Sequence, residues 1–325
     1  MFLLNSDIFI WDLLILLIMT LTFSGAIACW TWRRRHPNHT FQKLLIGLLG
    51  LLGFSGFLLI TYASFIEPQM LFTTHHSISH PQADPLTIAL ISDMHLGPYK
   101  GKKYMQRVVN ETNAAFPDLV LLTGDYVFGR NADLQDLAPL GALNPPLGVY
   151  AVLGNHDVGQ HQSLLGKRYS GEDRGENIAD MLESVGVTML RNEEEIIYLT
   201  TGQIAITGID DLWTGHSDLA AALDEVPRNV YTILLSHNPS VIDEKRSREA
   251  DLIVSGHTHG GQMRLPGYGT IPDLPTSLGN SFDQGIFKID SDTTLAITRG
   301  VGESSPRTRL FAWPEIMLLE LLPST

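Results

Sequence analysis

The sequence predicts a layered α/β domain preceded by two membrane-spanning helices. Three observations predict it. Two apolar runs stand near the start of the chain. Short apolar strand-like runs then alternate with helix-like stretches. Polar clusters follow those apolar runs again and again.

Residues 8–29 and 44–65 are almost wholly apolar. Each run matches the ~20 residues that a helix needs to cross hydrocarbon. Soluble core helices are rarely apolar all round. Trp30, Trp32 and Tyr62 stand near the ends, where interfacial aromatics sit. A cleaved signal peptide fits the first run poorly, since no basic residue precedes it and no small-residue cleavage site follows. A twin-arginine signal lacks the usual residues after the arginine pair.

Arg33-Arg34-Arg35-His36-Pro37-Asn38-His39 separates the two runs. The positive-inside rule puts this basic loop in the cytoplasm. Both chain ends, and the domain that follows, are then expected outside it. The expected parts are a membrane anchor over 1–66, a polar linker over 67–85 and a globular domain over 86–325.

Strands are expected at 86–92, 119–122, 149–153, 204–207, 232–235 and 252–254. Helical patterns cover 102–115, 177–185, 219–225 and 240–248. The tail changes character: 286–289, 294–298 and 315–321 read as strands with no helix between them. Helices interleaved with strands and followed by a strand-rich tail suggest a layered domain completed by a mixed sheet.

The chain has 325 residues, with 35 acidic and 22 basic side chains. Only Asp7 and Asp12, against Arg33, Arg34, Arg35 and Lys43, precede Glu67, so that segment is net basic and the remainder carries more than the whole of the chain's acidic excess. Such a domain repels a phosphate backbone, which disfavours nucleic-acid binding. It would need bound cations to hold a phosphate group. The one cysteine, Cys29, lies in the first apolar run, so any metal must be held by carboxylate, imidazole or amide oxygen.

The polar clusters supply such ligands. Ser92-Asp93-Met94-His95 follows one strand, Thr123-Gly124-Asp125 a second and Gly154-Asn155-His156-Asp157 a third. Ser236-His237-Asn238-Pro239 and Ser255-Gly256-His257-Thr258-His259-Gly260-Gly261-Gln262 follow later ones. Ligands of open α/β sheets bind beyond the carboxyl ends of the strands. A lone histidine at a strand end is usually just a satisfied polar residue. Five of the 12 histidines gathered with two aspartates and an asparagine fit a mixed imidazole–carboxylate metal site.

The ordered series Asp-x-His, Gly-Asp, Gly-Asn-His-Asp, strand-end His and Gly-His-x-His resembles the calcineurin-like metallophosphoesterase family. The resemblance runs from about residue 86 to the carboxyl terminus. Gly208-Ile209-Asp210-Asp211-Leu212-Trp213 and Ser236-His237-Asn238-Pro239 look like the membrane-associated branch. That branch includes bacterial YaeI-type phosphodiesterases and transmembrane proteins with a metallophosphoesterase domain.

The resemblance implies a sandwich of two mixed sheets flanked by helices. It also implies two divalent ions, manganese preferred, with iron or zinc as alternatives. Asp93, His95 and His259 would hold one ion, Asn155, His237 and His257 the other, and Asp125 would bridge them. A hydroxide bridging the metals would attack phosphorus, and His156 would contact a phosphate oxygen or protonate the leaving group. Asp157 would support its turn. Many family members carry an acid three positions after the Gly-Asp aspartate, where it orients the catalytic histidine. Phe128 stands there in this chain.

The expected activity is hydrolysis of phosphodiester or pyrophosphate bonds at a membrane. Its substrate would be a phosphorylated small molecule or a lipid-linked compound, since tethering concentrates a site near bilayer substrates. Some relatives cleave UDP-2,3-diacylglucosamine in lipid A biosynthesis, which makes that compound the leading specific candidate. It is a cytoplasmic metabolite, and so it conflicts with the charge-derived topology. A bacterial inner membrane is the expected location. Arg168, in a segment with Lys167 and Arg174, is a candidate substrate contact or part of a solvated loop, and Arg309 is a candidate substrate contact whose partner would be a phosphate or a structural carboxylate. Leu265, Tyr268, Ile271, Leu274 and Leu278 would either wall an apolar substrate or pack beneath a long loop.

The alternative is a catalytically weak membrane receptor that binds phosphorylated ligands through a retained metal site. An ordinary nucleotide-binding domain is disfavoured because no glycine-rich phosphate loop is present. Nothing in the sequence points to a protein partner.

Overall fold

In a computed structural model of the full chain, residues 6–80, 85–129, 131–162, 168–200 and 202–323 are described. Two long helices come first, α1 (Ser6–Arg35) and α2 (Thr40–Thr61). Both are long and apolar enough to cross a membrane, and almost none of their apolar surface is buried. They pack on each other as a hairpin whose turn holds the arginine cluster.

The rest of the chain holds sixteen strands and three further α-helices among the described residues. The amino-terminal half contains β1 (Phe72–His80), β2 (Leu86–Ile91), α3 (Lys102–Ala114), β3 (Leu119–Leu122), β4 (Val149–Ala151), β5 (Gln160–Gln162), β6 (Arg168–Ser170), α4 (Gly175–Ser184) and β7 (Thr188–Met189). The carboxyl-terminal half contains β8 (Glu193–Tyr198), β9 (Gln203–Gly208), α5 (Leu219–Leu223), β10 (Tyr231–Leu235) and β11 (Leu252–Ser255). After these come β12 (Arg264–Leu265), β13 (Gly269–Thr270), β14 (Gly285–Lys288), β15 (Thr294–Ile297) and β16 (Glu315–Pro323).

Two mixed six-stranded sheets form, in the orders β1-β16-β2-β3-β4-β7 and β14-β15-β11-β10-β9-β8. Their centres are parallel and fully buried, and their strands are near-continuous runs of Leu, Ile and Val. Ile88, Leu90, Leu119, Leu121 and Leu319 of the first sheet meet Ile204, Ile206, Ile233, Leu235 and Val254 of the second. The outer face of the first sheet is covered by α3 and α4, which bury Met105, Val108, Ile178 and Leu182 at helical spacing. A smaller apolar cluster with Ala222 of α5 covers the second sheet. The expected two-sheet sandwich is therefore the fold.

Two expectations are corrected. The stretch 67–85 is not simply a polar linker: β1 lies in it and pairs in parallel with β16, from Phe72↔Glu315 to His80↔Pro323. Its sequence, Phe-Thr-Thr-His-His-Ser-Ile-Ser-His, is polar because it forms the sheet's edge. The stretch 240–248 is not an α-helix. Pro239–Asp243 and Lys245–Glu249 form two short 3₁₀ turns there.

The helical hairpin is docked on the domain. Glu67 is buried, and its carboxylate accepts the Ala312 N–H at 2.8 Å. Arg309 N–H donates to the Ala63 carbonyl at 2.8 Å. Near the start of α1, Asp12 accepts a hydrogen bond from the Tyr99 hydroxyl at 2.9 Å. Asp12 and the carboxyl end of α2 therefore lie on the side of the hairpin that faces the domain.

Candidate metal centre

Each polar cluster leaves the carboxyl end of a central strand. Asp93 and His95 follow β2, Asp125 follows β3, and Asn155 and His156 follow β4. His237 follows β10, while His257 and His259 follow β11. The two sheets deliver these residues to one shared edge. Asp93, His95, Asp125, His257 and His259 all adopt positive φ, between 45° and 69°. Non-glycine residues rarely do so, and such strain collects at functional sites where the surroundings over-determine it.

Glycines allow the loops to close together. A Cβ at Gly256 would overlap Ser92 Oγ and Asp93 Oδ2, and one at Gly154 would overlap the Asp125 carboxylate. Asp93 accepts the His257 N–H at 3.0 Å, and Asp125 accepts the His156 N–H at 2.9 Å. Asp157 is fully buried, and its carboxylate accepts the N–H groups of Asp125, Tyr126 and Gly154 at 2.8–2.9 Å. It ties the β3 and β4 loops together, the supporting task expected of it.

The ligand atoms gather in two groups that share Asp125. In the first, His259 Nε2 lies 3.3 Å from Asp93 Oδ1 and 3.1 Å from His95 Nε2. In the second, His237 Nε2 lies 3.1 Å from both Asn155 Oδ1 and His257 Nδ1. Asp125 Oδ2 stands between the groups, 3.4 Å from His95 Nε2 and 3.3 Å from His237 Nε2. All of these residues are buried.

The outer atoms orient the inner ones. His237 donates from Nδ1 to the Thr123 carbonyl at 2.7 Å, and His257 donates from Nε2 to the Pro275 carbonyl at 3.1 Å. The other nitrogen of each ring therefore points to the centre, where it offers a lone pair to a cation once it carries no proton. Asn155 Nδ2 donates to the Gln160 carbonyl at 2.6 Å, which turns Oδ1 inward.

The electrostatics fit cations. Burial pushes His95 and His259 well below the ordinary histidine range and His257 down to about 3, so these rings are neutral. Burial also opposes charge on His237, but Asp125 and Asp93 outweigh it and push that imidazole up to about 10. Burial by itself would raise the Asp125 carboxyl, yet the neighbouring His237 and His156 hold it well below the carboxylate range. The buried carboxylates thus draw positive charge onto His237. Facing lone pairs about 3 Å apart leave the same need. Divalent ions bound by these atoms would meet both demands.

The remaining candidates sit differently. The His156 ring packs edge-on to His95, with centroids 4.8 Å apart. Phe128 lies 5.4 Å from the His95 ring and 5.7 Å from the His156 ring, an apolar wall in place of an acid. Arg309 is not placed to contact substrate. It is fully buried, and its guanidinium donates to the carbonyls of Arg299, Gly300, Gly302 and Ala312. Arg168 begins β6, and its side chain and Lys167 lie outside the described residues. Arg174 donates to the Ala132 carbonyl at 3.0 Å. Leu274 is buried and Leu278 packs on the second sheet's outer cluster, whereas Leu265, Tyr268 and Ile271 are exposed.

Sequence reasoning missed Trp213 as a site residue, although it meets the His257 ring edge-on at 4.9 Å. It also missed His161, whose Nδ1 lies 3.2 Å from His156 Nδ1. Trp213 closes the Gly208–Trp213 run, whose resemblance marked a branch and not a contact with the centre, and no motif spacing marks His161. Only the fold brings the loop after β9 and strand β5 to the centre.

Two donor clusters sharing one carboxylate at the joined edges of two sheets define a hydrolase of the dinuclear-metal class. The chain belongs to the calcineurin-like phosphoesterase family, whose model matches residues 86–261. It is 32% identical over 299 residues to the uncharacterized metallophosphoesterase YkuE of Bacillus subtilis, covering 89% of this chain and 97% of that one. It is 30% identical to the phosphodiesterase YaeI of Escherichia coli, covering 80% and 92%. It is 24% identical to the UDP-2,3-diacylglucosamine pyrophosphatase LpxG of Chlamydia muridarum, again covering 80% and 92%.

Proposed function

We propose that this metallophosphoesterase hydrolyses phosphodiester or pyrophosphate bonds of lipid-linked substrates at a bilayer surface. The observation that carries the proposal is Asp125 Oδ2 standing between both imidazole clusters. Asp93, His95, His259 and Asp125 would hold one divalent ion, and Asp125, Asn155, His237 and His257 the other. Manganese is the preferred ion, and iron or zinc suits the same donors. When bound, such a pair acidifies water and neutralises charge growing on the phosphoryl oxygens.

The protein's own groups complete the chemistry. Asp125 holds its carboxylate between the clusters, while its other oxygen pins the backbone of His156. His156, against His95, would donate a proton to the departing oxygen. Phe128 shields these rings on one side and packs 6.4 Å from the Tyr99 ring, which reaches Asp12 of α1. A continuous series of contacts thus runs from the first apolar helix to the metal centre. This supports a substrate presented at the membrane.

The test is purification in mild detergent, metal analysis and a screen of monoesters, diesters and lipid-linked pyrophosphates. UDP-2,3-diacylglucosamine, named for the chlamydial relative, enters that screen first. A generic aryl phosphodiester should be turned over with manganese and not after chelation. His156→Ala should keep its metal and lose about 10²-fold or more in kcat. Metal binding with no turnover of any phosphoester would instead support the receptor reading.

A further inference from the structure

We propose that His161 is a positioning residue for His156, in the place where many family members use a carboxylate. The proposal rests on the hydrolase reading above and assigns the missing support of its proton donor.

The two rings meet edge-on, with centroids 4.7 Å apart and planes at 71°, and their Nδ1 atoms are 3.2 Å apart. Among the described residues, the His156 ring makes no hydrogen bond to a carboxylate. The nearest candidates are already engaged. Asp157 holds backbone N–H groups of both neighbouring loops, and Asp125 takes the His156 N–H while facing the metal ligands. Phe128 offers the ring only an apolar face.

The surroundings are built to hold His161 in place. It lies on β5, which pairs antiparallel with β6, with His161 opposite Tyr169. Gln160 N–H donates to the Asn155 carbonyl at 2.7 Å, and Asn155 Nδ2 donates to the Gln160 carbonyl at 2.6 Å. The strand carrying His161 is therefore clamped to the turn carrying Asn155 and His156. Gly159 turns the chain at φ 70°, and Gly171 N–H closes onto its carbonyl at 2.6 Å. A Cβ on Gly171 would come within 2.9 Å of His161 Nε2, so the glycine leaves room for the ring.

The contact suits a division of labour. In the proposed acid form His156 carries a proton on each nitrogen: Nδ1–H donates to the His161 Nδ1 lone pair, which leaves Nε2–H as the transferable proton. As the bond from phosphorus to the leaving oxygen breaks, its electron pair stays on that oxygen, which takes the Nε2 proton. His156 is left neutral with its other proton still held by His161. The attacking water releases one proton to solvent as it bonds to phosphorus, and His156 regains one from solvent before the next turnover, so the balance closes. His161 changes neither charge nor bonding partner. It fixes the ring's rotation, and correct orientation of a general acid governs its efficiency.

The experiment uses the full chain in detergent, loaded with manganese. His161→Phe keeps a ring and removes the bond, whereas His161→Asn places an amide where Nδ1 stood. Aryl phosphodiesters of graded leaving-group pKa are the probe. We expect His161→Phe to lose about 10²-fold in kcat on the poorest leaving groups and little on the best, with KM and metal content unchanged. His161→Asn should recover most of the loss. An equal loss across all leaving groups, or none, overturns the proposal. The second readout needs no turnover: ¹⁵N spectra of histidine-labelled protein, with His156→Gln assigning the signal. The His156 Nδ1 resonance should move in His161→Phe, and an unmoved resonance overturns the proposal. A wild-type protein without turnover sinks the hydrolase reading while this measurement still decides the pair.

Discussion

Asp125 and His237 show how a buried centre manages charge before any cation binds. Three neighbouring imidazoles are driven neutral by burial, while His237 is pushed up to about 10 by the surrounding carboxylates. Below that pH the metal-free centre carries a proton that an incoming cation must displace. Raising the pH removes the competitor, so metal affinity should climb about tenfold per pH unit and level off near pH 10. Burial also raises the Asp93 carboxyl, so the dependence should steepen toward acid pH. Calorimetry in buffers of different ionisation enthalpy counts the protons released, and a pH-independent affinity would refute the linkage. Arg309 illustrates a different use of charge. Its guanidinium joins the carbonyls of Arg299, Gly300, Gly302 and Ala312 beneath the site. Lysine cannot reproduce that planar fork. Arg309→Lys should cost about 3 kcal/mol of stability in chemical unfolding, with KM unchanged in the folded protein. A raised KM at full stability would return Arg309 to the substrate-binding residues.

Edge elements carry information that their composition hides. β16 is strongly apolar, and its two sides pair with β1 and β2. A chain that starts at residue 86 lacks β1 and leaves one side of β16 unpaired, a template for association. We expect a soluble chain starting near Met70 to be monomeric in size-exclusion chromatography and one starting at residue 86 to aggregate. Equal behaviour of the two would show β1 to be dispensable. The central strands were legible because strands buried on both faces read as continuous apolar runs. The residues that cluster at the candidate centre were legible because each lies in a polar segment that follows such a run. β1 and β8 were not, since Thr-Thr-His-His-Ser and Glu-Glu-Glu suit an edge that faces water. Arg309 was misread because sequence shows a cation without showing the four carbonyls around it. His161 was passed over for a related reason: its partner is fixed by the β5–β6 pairing and by no spacing rule.

The whole molecule couples an acidic domain to an apolar hairpin, and the hairpin's geometry limits where the centre can work. Both ends of the hairpin touch the domain, through Asp12 with Tyr99 at one end and Ala63 with Arg309 at the other. The arginine cluster lies at the opposite tip. The metal centre and the basic tip therefore face opposite sides of any bilayer that the hairpin spans. Basic residues are retained on the cytoplasmic side, so the centre should face away from the cytoplasm. Protease added to intact bacterial spheroplasts should then digest the domain while a cytoplasmic marker survives. Protection until lysis would reverse the orientation, and with it the substrate pool. A cytoplasmic centre would meet UDP-linked lipids directly, whereas an external one would meet phosphoesters on the outer leaflet. The proteolysis result thus decides which lipid-linked compounds are chemically available to the site.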